Sequence, residues 1–257
     1  MRNEKPTLYP DVNDLLDQLL QGTQRILAQD LVGLYVHGSL ALGDYHPETS
    51  DVDFLGVTRS ELQAAQRTAL AHMHDELRSQ GFPAAEHMEG SYIPQASLKR
   101  YDPQHCRHPA LRCDGSFGVD GHGSDWIIQR AIIRGYGITL CGPAPDSLIA
   151  PVTAEELRWA ARSILQEWWA PLLKDASRLG TSEYQAYAIL TMCRCLYTMD
   201  TGLVASKPAA GKWAMGKYGE AWEALIRQAL AWRRGMELDV SRETLSFVRF
   251  TLGRACQ

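Results

Sequence analysis

With 257 residues, 45% hydrophobic and 22% charged, the chain can bury one large core or two smaller ones and is not an intrinsically disordered polymer. No apolar run approaches the roughly 18 residues that a membrane-crossing helix needs, and the N-terminus lacks the basic patch and apolar stretch of a secretory signal, so a cytoplasmic protein with no membrane partner is expected. The net charge of −4 hides an asymmetry, −7 over residues 1–150 (12 Lys and Arg against 19 Asp and Glu) and +3 over residues 151–257 (14 against 11), and an acidic chain without a basic stripe is a poor nonspecific binder of long nucleic acid.

In chain order, Leu15, Leu16, Leu19, Leu20, Ile26 and Leu27 recur at helical spacing and predict a first helix over about residues 12–29. The run LVGLYVH (31–37) reads as a buried strand, and DVDFLGVT (51–58) as a second. Ser60 with Gln63 has the pattern of a capping box and predicts a helix over 60–79, stopped by Gly81 and Pro83. AEHMEGSYI (85–93) reads as a third strand. Residues 94–123, rich in Pro, Gly, His and Asp, are expected to be a long loop or an insertion between strands. A helix over 124–134 and a short strand in GITLCGPAP follow. Thr153 and Glu156 form another capping-box pattern, after which the sequence is helical over about 153–177, 182–199, 207–217, 219–234 and 240–253. Pro143, Pro145 and Pro151 punctuate the change of pattern. Two domains are therefore expected, 1–150 and 151–257.

Cys106, Cys113, Cys141, Cys193, Cys195 and Cys256 make no C-x-x-C pair and are expected to be mostly reduced. His105, Cys106, His108, Cys113 and His122 are zinc-ligand types within 18 residues, but their spacing matches no structural zinc pattern. The plainer reading is an irregular loop with surface histidines.

The stretch LYVHGSLALGDYHPETSDVDFLGV carries the chemistry. An apolar strand runs into Gly38-Ser39, and Asp51 and Asp53 open the next strand. Residues i and i+2 of a strand share a face, so both carboxylates can reach one point. Two carboxylates about 4 Å apart repel by roughly 4 kcal/mol at an effective dielectric near 20. Such a pair needs a cation, a shared proton or full solvation, and all-oxygen ligands favour a hard ion such as Mg²⁺. Gly38 lets backbone N–H groups approach a phosphate, and the Ser39 hydroxyl can donate to it, more so if a helix begins there. Taken singly, Gly-Ser reads as a turn and Asp51 as a cap. On the third strand, Glu89 is placed to bring a further carboxylate beside the aspartates, as a base or as an ordinary solvated residue. Glu86, at an odd offset, is expected on the opposite face.

Gly38-Ser39 through Ser50-Asp51-Val52-Asp53 resembles the signature of the polymerase-beta-type nucleotidyltransferases. The whole chain resembles the aminoglycoside adenylyltransferases that modify streptomycin and spectinomycin, most strongly in ILTMCRCLYTMDTGLVASKPAAGKWA (189–214) and at Gly142-Pro143. The resemblance implies an α+β protein: an N-terminal nucleotidyltransferase domain with a small mixed sheet and flanking helices, and a C-terminal all-helical bundle that completes the ATP and acceptor site. It implies AMP transfer from MgATP to a hydroxyl of a small cationic aminoglycoside. Gly38 and Ser39 would hold the phosphates, Asp51 and Asp53, with Glu89, the metal, and Glu89 would be the catalytic base. The family's phosphate-holding Arg and Lys fall on Arg194 and Lys207. On sequence alone Arg194 is equally an ion-paired helix residue, and Lys207 a solvated lysine at a helix start. The family's drug-contacting acids have no clean counterpart in LGTSEYQAYA, where Glu183 is offset, and Trp126 reads as a stacking residue or as core. The chain is expected to act as a monomer. The alternatives are transfer to a protein or another metabolite, and a non-catalytic nucleotide-binding module.

Overall fold

The computed structural model describes residues 5–255 and divides at Pro151–Val152 into two compact units. Cys256 lies outside the described residues.

The first unit begins with α1 (Pro10–Leu27), which Pro10 opens at a position where its missing N–H costs nothing. β1 (Leu31–Val36) leads into the short α2 (Gly38–Ala41) and on to β2 (Val52–Thr58). α3 (Ala64–Ser79) carries the chain to β3 (Met88–Pro94), and α4 (Gln95–Leu98) follows directly. The hairpin strands β4 (Arg107–Leu111) and β5 (Phe117–Gly121) precede α5 (Asp125–Tyr136), β6 (Ile138–Cys141) and α6 (Pro145–Leu148). The sheet order is β5-β4-β3-β2-β1-β6. Only β2 and β3 pair in parallel, as the α3 crossover allows, and the other neighbours are antiparallel.

Strand alternation divides the apolar residues between two cores. Leu34, Val36, Val52 and Phe54 pack on one side with Leu15, Leu16 and Leu19 of α1 and Leu70, Met73 and Leu77 of α3. Tyr35, Leu55, Val57 and Ile93 pack on the other with Leu98, Ile133, Leu148 and Ile149. Asp53 and Glu89 share the sequence parity of this second set, so their strands present them on the α5 side of the sheet.

The second unit is helical: α7 (Ala154–Ile164), α8 (Ser182–Thr201), α9 (Lys207–Ala231) and α10 (Ser241–Ala255). α8 packs against the other three. Its buried Gln185 is satisfied at both ends, donating to Leu179 O at 2.8 Å and accepting from Val240 N at 2.8 Å. Gly202 ends α8 at φ 70°, the left-handed conformation in which a side chain is strained.

Several boundaries differ from the sequence expectation. α3 starts at Ala64, because the capping box closes between Gln63 and Gln66 and not at Ser60. Helix 153–177 ends at Ile164 and gives way to a π-helical turn over Leu165–Trp169 and a 3-10 turn whose second residue is Pro171. The helices expected over 207–217 and 219–234 form one element, kinked at Tyr218 (φ −127°, ψ 19°) between Gly216 and Gly219. Residues 94–123 are not a long loop: they hold α4 and the β4–β5 hairpin, whose polar, glycine-containing strands lack an apolar period.

Candidate active site

β1 ends at Val36, and His37 continues the ladder by donating its N–H to Asp53 O at 2.9 Å. Gly38 then turns at φ 61°. A Cβ there would collide with Asp53 Oδ2 and lie 2.7 Å from its Cγ, so the backbone presses against the carboxylate as only glycine permits. α2 starts on this residue, and the N–H groups of its first turn have no intrahelical acceptor. The Ser39 hydroxyl is buried and, among the described residues, has no hydrogen-bond partner. Buried donors of this kind are ordinarily satisfied, and the Ser39 hydroxyl is of a type that can donate to a phosphate oxygen.

Asp53 pairs directly with Glu89 across the parallel β2–β3 ladder, and Asp51 lies two residues before Asp53. Burial pushes the Glu89 carboxyl up to about 8, helped by the negative charges of Asp53 and Asp51 and by a hydrogen bond to Asp53, while His37 opposes the shift. The three acids expected to act together are therefore gathered at the start of two neighbouring strands. Glu86 is not on the strand at all: it sits in the 3-10 turn Pro83–His87.

No three His, Cys, Asp or Glu side chains among the described residues form a ready-made metal cage. A hard ion beside a triphosphate needs only one or two protein carboxylates. The all-oxygen donor set fits such an ion, as do the negative charges of Asp53 and Asp51, which add to burial in raising the Glu89 carboxyl.

Beside the acids lies a packed group whose members the sequence did not bring together. His37 is buried, its basicity pulled down to about 4 mainly by desolvation, partly offset by Glu89. Its ring meets Trp126 edge-on at 6.4 Å, Trp126 stacks on His122 at 3.6 Å, and His122 Nε2 lies 3.0 Å from Ser91 Oγ. Arg130, also buried, donates to Leu98 O at 3.0 Å and Ser97 O at 2.9 Å, with its guanidinium 5.8 Å from the Trp126 ring centroid. Trp126 is thus part of a packed stack. His108 and His122 are buried, not on the surface, and desolvation lowers the basicity of both. The parity of His37 with Tyr35, and of Ser91 with Glu89, is the signal that could have placed them on this face. Cys106, Cys113, Cys141, Cys193 and Cys195 are free thiols.

In the second unit, Arg194 is half-buried on α8, and Lys207 opens α9 behind its N-cap Ser206. Lys207 Nζ lies 4.9 Å from the Tyr187 ring centroid, a contact that the sequence did not suggest. Glu183 faces Arg234 at 3.6 Å.

Two family models match this arrangement. A nucleotidyltransferase domain covers residues 16–84, including Gly38, Ser39, Asp51 and Asp53, and an aminoglycoside adenylyltransferase C-terminal domain covers residues 147–254. The chain belongs to the adenylyltransferase-type nucleotidyltransferases. Among its relatives, an aminoglycoside (3'') (9) adenylyltransferase of Escherichia coli is 24% identical over 247 residues, covering 91% of this chain and 90% of that one. A spectinomycin 9-adenylyltransferase of Campylobacter jejuni is 24% identical, covering 96% and 94%. The α+β fold is shared with the crystal structure of spectinomycin adenyltransferase AAD(9) from Enterococcus faecialis, solved with ATP and spectinomycin: TM-score 0.75, 17% identity, coverage of 95% and 99%. No helix among the described residues is long and apolar enough to cross a membrane.

Proposed function

We propose that this adenylyltransferase-type chain transfers AMP from MgATP to a hydroxyl of an aminoglycoside such as streptomycin or spectinomycin, releasing pyrophosphate. The observation that carries the reading is the register of β2 and β3, which sets Glu89 directly beside Asp53 next to the Gly38-Ser39 turn. The family membership and the relatives' names support the acceptor class.

In this reading the acceptor oxygen attacks the α-phosphorus of ATP, its proton passes to the Glu89 carboxylate, and the bond to pyrophosphate breaks. A carboxyl pushed up to about 8 is a stronger base than an ordinary glutamate and is matched to work near neutral pH. Asp51 and Asp53, with Glu89 at the edge, would hold Mg²⁺, which when bound supplies charge stabilisation to the entering and leaving oxygens. Gly38 and Ser39 offer backbone N–H groups and a hydroxyl to the phosphates. Arg194 and Lys207, the counterparts of the family's phosphate-holding residues, are assigned to the triphosphate. The protein is read as a cytoplasmic monomer.

The test is pyrophosphate release from MgATP across a panel of aminoglycosides, with product mass checked for a gain of one AMP. Turnover with streptomycin or spectinomycin supports the reading. Nucleotide binding with no turnover on any member overturns the acceptor class, and absence of nucleotide binding overturns the activity.

A further inference from the structure

The proposed function gives Lys207 to the ATP phosphates, and the inference here rests on that reading. Lys207 is the first residue of α9, with Pro208 behind it and the Ser206 hydroxyl accepting the Ala209 N–H at 3.2 Å. Proline at this position fixes the backbone of the first turn. The N-terminus of a helix is the positive end of its dipole, so a lysine there sits at the unfavourable end. The ring of Tyr187 offsets part of that cost: Nζ lies 4.9 Å from its centroid, inside the range of cation–π attraction.

Tyr187 is itself held. Its ring lies 5.7 Å from that of Trp169 and 5.8 Å from that of Tyr184, and those two are 6.0 Å apart. Trp169 is buried and anchors the group, while Tyr187 is 41% exposed and reaches the surface. Tyr187 and Arg194 are seven residues apart on α8, about two turns, and so share one side of the helix.

We propose that Tyr187, braced by Trp169 and Tyr184, is a positioning residue that holds the Lys207 ammonium ready for the phosphates of ATP. A lysine side chain gives up rotamer freedom when it grips a ligand. Confining it on the ring beforehand removes part of that loss from the binding step.

The experiment measures MgATP affinity by calorimetry, and KM and kcat for ATP, in wild type, Tyr187→Leu, Tyr187→Phe, Lys207→Met and the Tyr187→Leu/Lys207→Met double variant. Tyr187→Leu is expected to weaken MgATP by about three- to fivefold, the scale of an exposed cation–π contact. KM for ATP should rise in parallel with kcat held, and Tyr187→Phe, which keeps the ring, should recover most of the loss. In the Lys207→Met background the Leu substitution should add nothing, because a shared interaction cannot be lost twice. Undiminished affinity in Tyr187→Leu overturns the proposal, as does an equal loss in the Lys207→Met background, which would make Tyr187 a direct nucleotide contact. Tyr187→Gln replaces the Leu variant if that one misfolds. A wild-type protein that binds no MgATP overturns the nucleotide reading itself, whereas one that binds it and ignores loss of the ring overturns only the positioning role.

Discussion

Glu89 is the residue whose protonation carries most consequence. Its folded-state basicity is raised from 4.5 to about 8, by burial first and by Asp53 and Asp51 next. Below the lower value both folded and unfolded chains hold the proton, and no pH effect arises. Between the two values the unfolded chain releases the proton while the folded one keeps it, so stability falls as pH rises; above about 8 the full penalty stands. Glu89→Gln keeps the shape and removes the charge. In metal-free protein it should match wild type near pH 4.5 and be more stable at pH 8.5–9 by roughly 1–3 kcal/mol, discounted for sharing with Asp53 and for screening. Melting curves in chelator at the two pH values check this, and a gain at the acid end instead would refute the burial account. With MgATP the same variant should bind nucleotide yet lose about 10²- to 10⁴-fold in transfer rate, as expected on removal of a general base. Lost ATP binding with an intact rate constant would remove Glu89 from that role.

At the scale of the element, hydrogen bonds at helix starts decide where the helices begin. Thr153 Oγ1 accepts the Glu156 N–H at 3.1 Å, and Glu156 Oε2 accepts the Thr153 N–H at 2.7 Å. Thr153→Ala should cost about 1 kcal/mol in urea denaturation followed by helical circular dichroism, and Thr153→Ser should restore most of it. A Thr153→Ala midpoint equal to wild type would show that tertiary packing alone holds the start of α7. These local bonds span three residues, which is why Thr153 and Glu156 were readable as a pair. The same logic misplaced the start of α3, since Ser60 and Gln63 match the pattern while the bonds form between Gln63 and Gln66. Residues 107–121 carried no readable period, because their pairing partners lie across a turn and their side chains are mixed in polarity.

For the molecule as a whole, charge is the property with a measurable consequence. The negative balance of residues 1–150 attracts a polycationic ligand, and salt screens exposed charges over about 8–10 Å. Affinity for streptomycin in the presence of MgATP should fall several-fold between about 50 and 300 mM salt, with the on-rate carrying most of the change. Surface-plasmon kinetics at the two salt levels measure it, and an unchanged on-rate would mean that the acidic balance plays no part in capture.

The amino-acid order by itself determined what depends on neighbours a few residues apart: the strand leading to Gly38-Ser39, the placing of Asp51 and Asp53 at the start of the next strand, and the capped start of α7. It also carried the family, because the Gly38-Ser39 turn and the acids are contiguous enough to be recognised as one segment. Only the tertiary structure decided the register that sets Glu89 against Asp53, the buried stack of His37, Trp126 and His122, and the seat of Lys207 on Tyr187. Those pairs are 36, 89, 4 and 20 residues apart in the chain. Even the short one was hidden, since stacking His122 on Trp126 depends on how the hairpin returns to α5. Periodicity says which face a side chain occupies, but which other face it meets is settled by packing over the whole domain.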